Sequence, residues 1–419
     1  MMGATAPTSD STLMCAEQQE AGGSKGKVRV LRSLAEIEGV RVLWTSWQRH
    51  PNSDLDSYLI TLGSRPEILR PHILLVYRGD QPSAMLIGRV EDRQIAFRLG
   101  YRVVFKPRVR QMTFIYAGLL GNPSAPDCDL LVRAIRTSLK DGEADLALLS
   151  HLDAQSPLYE LAGRIPGPWT RDLFPTPAPH WGMTLPESIE LVYRRMSEHQ
   201  RSEIRRKARK LIAQHRGQVT IHSWHEPCEV ERLVKEVEAV AKKAYQRGLG
   251  VGFADNGEMR RRLAFEAERG WLRGFVLMIA DSPAAYWIGS QYDHTFHGKY
   301  TGYDPGWAKY SPGMFLTMQV IEEMCHATGQ GRVREIDFGF GDAPYKRLLG
   351  NAERKEASIY IFAPTLKGVR LNATRRAVLT ADRSIRRGFQ ALGLLAKVKR
   401  IWRSGLIPES PQAGNTEHA

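Results

Sequence analysis

The sequence predicts an α/β (α+β) fold in which a mixed, largely antiparallel sheet flanked by helices occurs twice. Three observations predict it. The chain has 419 residues, long for one domain. Short apolar runs bounded by turn residues alternate with helical periodicity in both halves. The element order of the first half also returns in the second: hairpin strands, an aromatic strand ending in Gly, a loop, a helix, a buried strand, a short helix. Tyr116-Ala117-Gly118 and Tyr300-Thr301-Gly302 mark the same point in the two cycles.

Taken in order, residues 1–26 are small and polar, without the basic and apolar regions of a signal peptide, and read as a disordered leader. Val28–Leu31 reads as a strand and Ser33–Arg49 as a helix carrying Trp44 and Trp47. His72–Tyr77 and Ala84–Val90 form a hairpin about Gly79-Asp80-Gln81-Pro82. A strand at Met112–Ala117, a helix at Asp129–Lys140, a strand at Ala144–Ser150 and a short helix at Pro157–Leu161 follow. Ile165–Pro186 contains six prolines and reads as a linker.

Helices are expected at Ser188–Arg216 and Pro227–Arg247, then strands at Leu272–Ala280, Ala285–Tyr292 and Phe296–Tyr303. A loop, Asp304–Ser311, opens a helix from Pro312 to about Thr328. A strand at Glu335–Phe340, a helix at Ala343–Leu349 and a strand at Ser358–Phe362 complete the second cycle. The expected division is a leader 1–26, a degenerate first domain 27–164, a linker 165–186, a working domain 187–364 and a basic helical tail 365–419.

Composition narrows the function classes. Hydrophobic residues make up 42% and charged residues 25%, enough for a real core in each half. No run reaches the ~20 apolar residues of a spanning helix. The four cysteines (Cys15, Cys128, Cys228, Cys325) are scattered and read as reduced thiols of a cytoplasmic protein. The net charge of +14 is concentrated. Between Lys367 and Arg403 eleven basic residues face the single acid Asp382. A second basic run comprises Arg201, Arg205, Arg206, Lys207, Arg209 and Lys210. In the tail, apolar Phe389, Leu392, Leu394, Leu395, Val398, Ile401 and Trp402 interleave with basic residues. Residues 366–404 therefore read as an interfacial helix for an anionic membrane surface. Nucleic acid is disfavoured, because aromatics for base stacking are scarce there.

The segment Gly302–Gly350 carries the chemistry. Ser311 is a good N-cap, Pro312 is preorganised for the first helical position, and Gly313 offers no side chain to obstruct approach. Such a helix start presents free N–H groups and the positive end of the macrodipole, which suit phosphate. Four acids lie near it: Asp304, Glu335, Asp337 and Asp342. Strand alternation puts Glu335 and Asp337 on one face. The His222, His225 and Cys228 cluster lacks a fourth ligand, so no metal is expected. His294 and His297 flank a hairpin turn and read as exposed.

The basic helix HQRSEIRRKARKL, the block YDPGWAKYSPG and DFGFGDAPYKRLLGN, in this order, resemble GNAT-type (acyl-CoA N-acyltransferase) proteins of the CelD-like, or BioF2-like, family. They are also similar to the Fem aminoacyltransferases, which share a doubled GNAT fold. The resemblance spans about Ser197 to Phe362. It implies tandem GNAT-like domains and acetyl-CoA, or another acyl-CoA, as co-substrate, held at Tyr310, Ser311, Pro312, Gly313 and Met314. The Gln/Arg-x-x-Gly-x-Gly/Ala form of ordinary GNAT enzymes is absent. Tyr345-Lys346 resembles a Phe-Lys pair of the Fem enzymes at the transfer site.

Asp342, with Asp304 second, is the expected general base, and Lys346 or Tyr345 would assist. Arg201, Arg205 and Asp337 would contact an acceptor. The expected reaction is direct transfer of an acyl group, acetyl first, to an amine or hydroxyl of a small-molecule, glycan-linked or lipid-linked acceptor in polysaccharide or envelope synthesis, by an enzyme in the cytoplasm and peripheral at the inner membrane. The alternatives are a Fem-like transferase using charged tRNA and a non-catalytic adaptor on a GNAT scaffold.

Overall fold

The computed structural model describes residues 26–100, 102–244, 252–329 and 331–391. The first half runs through β1 (Lys27–Leu31), α1 (Leu34–Glu38), α2 (Arg41–Trp47), α3 (Leu55–Ser64), β2 (Ile68–Pro71), β3 (Ile73–Arg78) and β4 (Gln81–Gln94). It continues through β5 (Phe97–Leu99), β6 (Arg102–Phe105), β7 (Arg108–Gly121), α4 (Ala125–Lys140), β8 (Leu146–Asp153), α5 (Pro157–Arg164) and β9 (Ala178–Thr184). The second half comprises α6 (Ile189–Arg194), α7 (Glu198–Gln214), β10 (Val219–Trp224), α8 (Val230–Ala241), α9 (Gly257–Glu268), β11 (Leu272–Ile279) and β12 (Ser282–Tyr292). After it come β13 (Thr295–Tyr303), α10 (Pro312–His326), β14 (Glu335–Phe340), α11 (Pro344–Leu349), β15 (Ala352–Phe362) and α12 (Leu366–Ala391).

Both halves share one thirteen-stranded sheet. Its order is β1-β3-β4-β7-β8-β15-β9-β14-β13-β12-β11-β10, with β2 on β4. The order is a palindrome of roles. Each half contributes antiparallel strands and then a parallel pair, β7 with β8 and β13 with β14. The last strand of each half does not close its own sheet. β15 pairs with β8, and β9 pairs with β14. The two meet each other at the centre.

The stretch 165–186, expected as a linker, therefore holds β9: only Pro179 of its six prolines falls within the strand, and the others lie before or after it. The leader and the tail beyond 391 lie outside the described residues, including the expected apolar positions from Leu392 to Trp402. No described helix is long and apolar enough to cross a membrane.

Helices cover both faces of each half. α4 buries Cys128, Leu131, Val132, Ile135 and Leu139 on one face of the first half, and Trp44 and Tyr58 close the other. In the second half α10 buries Phe315, Leu316, Val320, Ile321 and Met324, while α8 and α9 bury Leu233, Val237 and Leu263 opposite. Each such side chain contributes about 1.5–3 kcal/mol on removal from water. The expected helix at 188–216 is two helices, since Ser197 starts α7 with a capping box to Gln200.

Candidate active site

The two parallel strand pairs are wedges. β13 and β14 pair only from Thr295 with Glu335 to His297 with Asp337, then diverge toward their C-terminal ends. On β13 the pairing with β12 jumps from Gly298 to Tyr300, so Lys299 is an extra, bulged residue at the mouth of the wedge. On β14, Gly339 has φ +78, a conformation that favours glycine. Its N–H donates to Asp337 Oδ1 at 2.7 Å, and Lys346 Nζ holds the turn by donating to the carbonyls of Gly339 at 3.1 Å and Phe340 at 2.9 Å.

The helix that follows each wedge is capped differently in the two halves. At the start of α4, Asp127 accepts from the Ser124 N–H, Ser124 Oγ accepts from the Asp127 N–H, and Arg78 grips both side chains. A carboxylate already occupies that positive helix end. At the start of α10 there is no side-chain cap. Ser311 is left-handed (φ +53), Phe315 N–H is the first to bond back, to Ser311 O, and the Gly313 and Met314 N–H groups precede it. Lys207 of α7 donates to Ser311 Oγ at 3.0 Å, adding a cation beside those donors. Tyr310, Met314, Phe315 and Leu348 line the adjoining cavity of about 190 Å³. The five residues Tyr310 to Met314 are thus brought together with the basic helix. Arg205 stacks on Tyr193, 4.6 Å from its ring centre, and Arg201 is half-buried.

Beside the wedge, both halves contribute to a cluster centred on Asp337. His180 of β9 places Nε2 2.6 Å from Asp337 Oδ1 and Nδ1 2.9 Å from Glu356 Oε2. His297 Nδ1 lies 3.4 Å from Asp337 Oδ2. His50 packs edge-on against His297, with ring centres 4.4 Å apart. Its loop is pinned by the Trp44 indole N–H, which donates to Ser53 O at 2.8 Å. Tyr116 Oη accepts from Arg354 at 2.9 Å. Cavities of about 370 Å³ open on these side chains from either side.

Electrostatics fix the charge states. Burial opposes ionisation of Asp337, yet His180 and His297 hold its carboxyl far below the usual range. Burial also opposes the His180 imidazolium, but the hydrogen bonds it donates to Asp337 and Glu356 raise its pKa. His50 is pushed well below its ordinary value by burial, reinforced by His297. The Asn52 N–H donates to His50 Nδ1 at 3.0 Å, so neutral His50 keeps its proton on Nε2. Ligand atoms of His50, His297 and Asp337 approach within 4.8 Å of one another, but a protonated Nε2 favours hydrogen bonding over metal ligation. At the bulge, Lys299 Nζ sits 2.5 Å from Glu266 Oε1, and burial lowers its pKa to about 8.

The remaining candidates are engaged elsewhere. Asp342 pairs with Arg347 at 3.1 Å on the surface. Asp304 accepts from the Gly306 N–H and from Lys243. Tyr345 packs edge-on against Phe338. Asp337 alone of the expected acids lies at the centre of the cluster. His297, expected to be exposed, is 12% exposed, because His50 of the other half covers it. His180, Glu356 and His50 carry no sequence signal, since strand exchange and a distant loop bring them in.

Residues 198–347 match the acetyltransferase (GNAT) domain family. The chain therefore carries a GNAT acetyltransferase domain, and its chemistry is acyl transfer. A comparison with curated proteins gave no match. Among solved structures, a tandem GNAT protein from the clavulanic acid biosynthesis pathway is similar, at 11% identity over 81% of this chain and 99% of that one, with a TM-score of 0.47. L-PGS from Bacillus licheniformis shares 11% identity over 70% and 85%, TM-score 0.41, and FemX 8% over 70% and 88%, TM-score 0.44.

Proposed function

We propose that this protein transfers an acyl group, acetyl first, from CoA to an amine or hydroxyl of a polysaccharide- or lipid-linked acceptor, as a cytoplasmic enzyme of the CelD-like kind. The uncapped start of α10, against the carboxylate-filled start of α4, carries the reading. The CoA pyrophosphate lies on the Gly313 and Met314 N–H groups beside Lys207, and the acyl arm enters the wedge toward His297. Asp337 Oδ2, 3.4 Å from His297 Nδ1, favours the proton on that nitrogen, and Nε2 is then the proposed base. The acceptor nitrogen or oxygen attacks the thioester carbon, its proton passes to His297 Nε2, the C–S bond breaks and CoA leaves as thiolate. Arg201 and Arg205 offer positive charge to an anionic acceptor.

Isothermal titration of acetyl-CoA into the wild-type protein and a Gly313→Trp variant tests the reading. A Cβ at Gly313 meets Tyr303 only at an ordinary 3.7 Å, so the backbone tolerates a side chain, whereas the indole would stand over the helix start. Saturable binding lost in the variant is expected. Binding of neither acetyl-CoA nor CoA, with charged tRNA bound instead, would replace this reading by aminoacyl transfer.

A further inference from the structure

The β5–β6 ribbon stands outside the main sheet and pairs only with itself. A two-stranded ribbon is marginal alone. It is fastened to α12: Phe97 is buried with Leu371, Val378 packs alongside, and the Gly100 N–H donates to Asp382 Oδ1 at 2.8 Å. Its outer strand nevertheless turns three consecutive apolar side chains to solvent, Val103 at 46%, Val104 at 52% and Phe105 at 50% exposure. Phe97 stacks on Phe105, yet about half of each of the three side chains stays open to solvent.

The surroundings are cationic. Arg98 and Arg102 belong to the ribbon, Lys106 and Arg108 follow it, and α12 bears Lys367, Arg370, Arg383 and Arg387; Arg108 pairs with Asp92 and Lys367 with Asp145, which leaves the others in excess over Asp382. More exposed apolar groups border α12. Trp169 is 68% exposed, and its carbonyl accepts from Asn372. Leu173 is 44% exposed, next to the Phe174 ring over which Arg383 stacks at 4.3 Å.

We propose that the ribbon and α12 form one docking face for an anionic lipid bilayer. Val103, Val104 and Phe105 enter the boundary between headgroups and acyl chains, and the arginines and lysines meet lipid phosphates. A patch with two valines and a single aromatic ring offers little platform for stacking successive bases. The face deepens the lipid-linked part of the proposed function, yet vesicle binding is measured without acyl-CoA, so the two stand or fall separately.

The test is co-sedimentation of the full chain with vesicles of phosphatidylcholine alone and of equal parts phosphatidylcholine and phosphatidylglycerol. Wild-type protein should sediment with the anionic vesicles only. A Val104→Asp/Phe105→Asp variant should bind roughly tenfold or more weakly, because two apolar anchors are lost. Lys106→Glu should weaken binding by a smaller, salt-dependent factor. Both variants change exposed positions, and an unaltered thermal unfolding curve confirms their fold. Absence of vesicle binding, equal binding to both vesicle types, binding of RNA but not vesicles, or undiminished binding by the Val104/Phe105 variant would each overturn the proposal.

Discussion

His180 Nε2 lies 2.6 Å from Asp337 Oδ1, joining a strand of the N-terminal half to the wedge of the C-terminal half. Glu356 holds the other nitrogen of the same ring. Replacing His180 by Leu leaves two carboxylates facing a buried gap. The variant should lose about 3–5 kcal/mol, as when one partner of a buried ionic network is removed. Urea unfolding monitored by tryptophan fluorescence measures the loss; a change under 1 kcal/mol would contradict a structural role for this bridge.

His297→Gln removes the proposed base while keeping a hydrogen-bonding side chain. Thiol release from acetyl-CoA in the presence of an acceptor should fall by about 10²–10⁴-fold, with acetyl-CoA affinity unchanged. Equal rates in variant and wild type would move the base elsewhere, to Asp342 or Asp304.

Lys346→Met tests whether this lysine holds the Gly339–Phe340 turn or acts on substrate. Two carbonyls lose their charged donor, so stability should drop by roughly 1–3 kcal/mol. Calorimetry and kcat separate the roles. A normal Tm with lost activity would favour direct action on the developing oxyanion.

Acid should unfold the protein in a defined window. Burial alone would raise the Glu266 pKa, but the Lys299 and Arg262 charges lower it from 4.5 to about 2. A carboxylate depressed in the folded state contributes stability that is present above its unfolded value and is lost as pH falls through its folded value. Stability should therefore decline from about pH 4.5 toward pH 2. Lys299→Met removes one compensating charge, raises the folded Glu266 pKa toward 4.5 and should therefore shrink that decline, as followed by urea unfolding at several pH values between about 2 and 5.

The repeated rhythm was legible because periodicity is local: α4, α10, β8 and β14 lie close to where their apolar spacing puts them. The helix start at Ser311-Pro312-Gly313 was legible for the same reason. β9 was not, because Pro175, Pro177 and Pro179 crowd its entrance and its partners lie far along the chain. α9 was missed although Asn256 caps it, since its three consecutive arginines, Arg260 to Arg262, blur the apolar stripe. His297 read as a turn residue because its burial depends on His50, which belongs to the other half. The cluster around Asp337 is a tertiary product, and only the aspartate itself stood out in the linear pattern.

The exchanged strands bear on how this chain can be divided. Cutting it near residue 186 would give two fragments, each carrying the sheet-closing segment that its counterpart needs. Either fragment made alone would expose an unfilled slot beside β8 or β14 and a strand with nowhere to pair. Only co-production could refill both slots, so neither half is a self-sufficient folding unit.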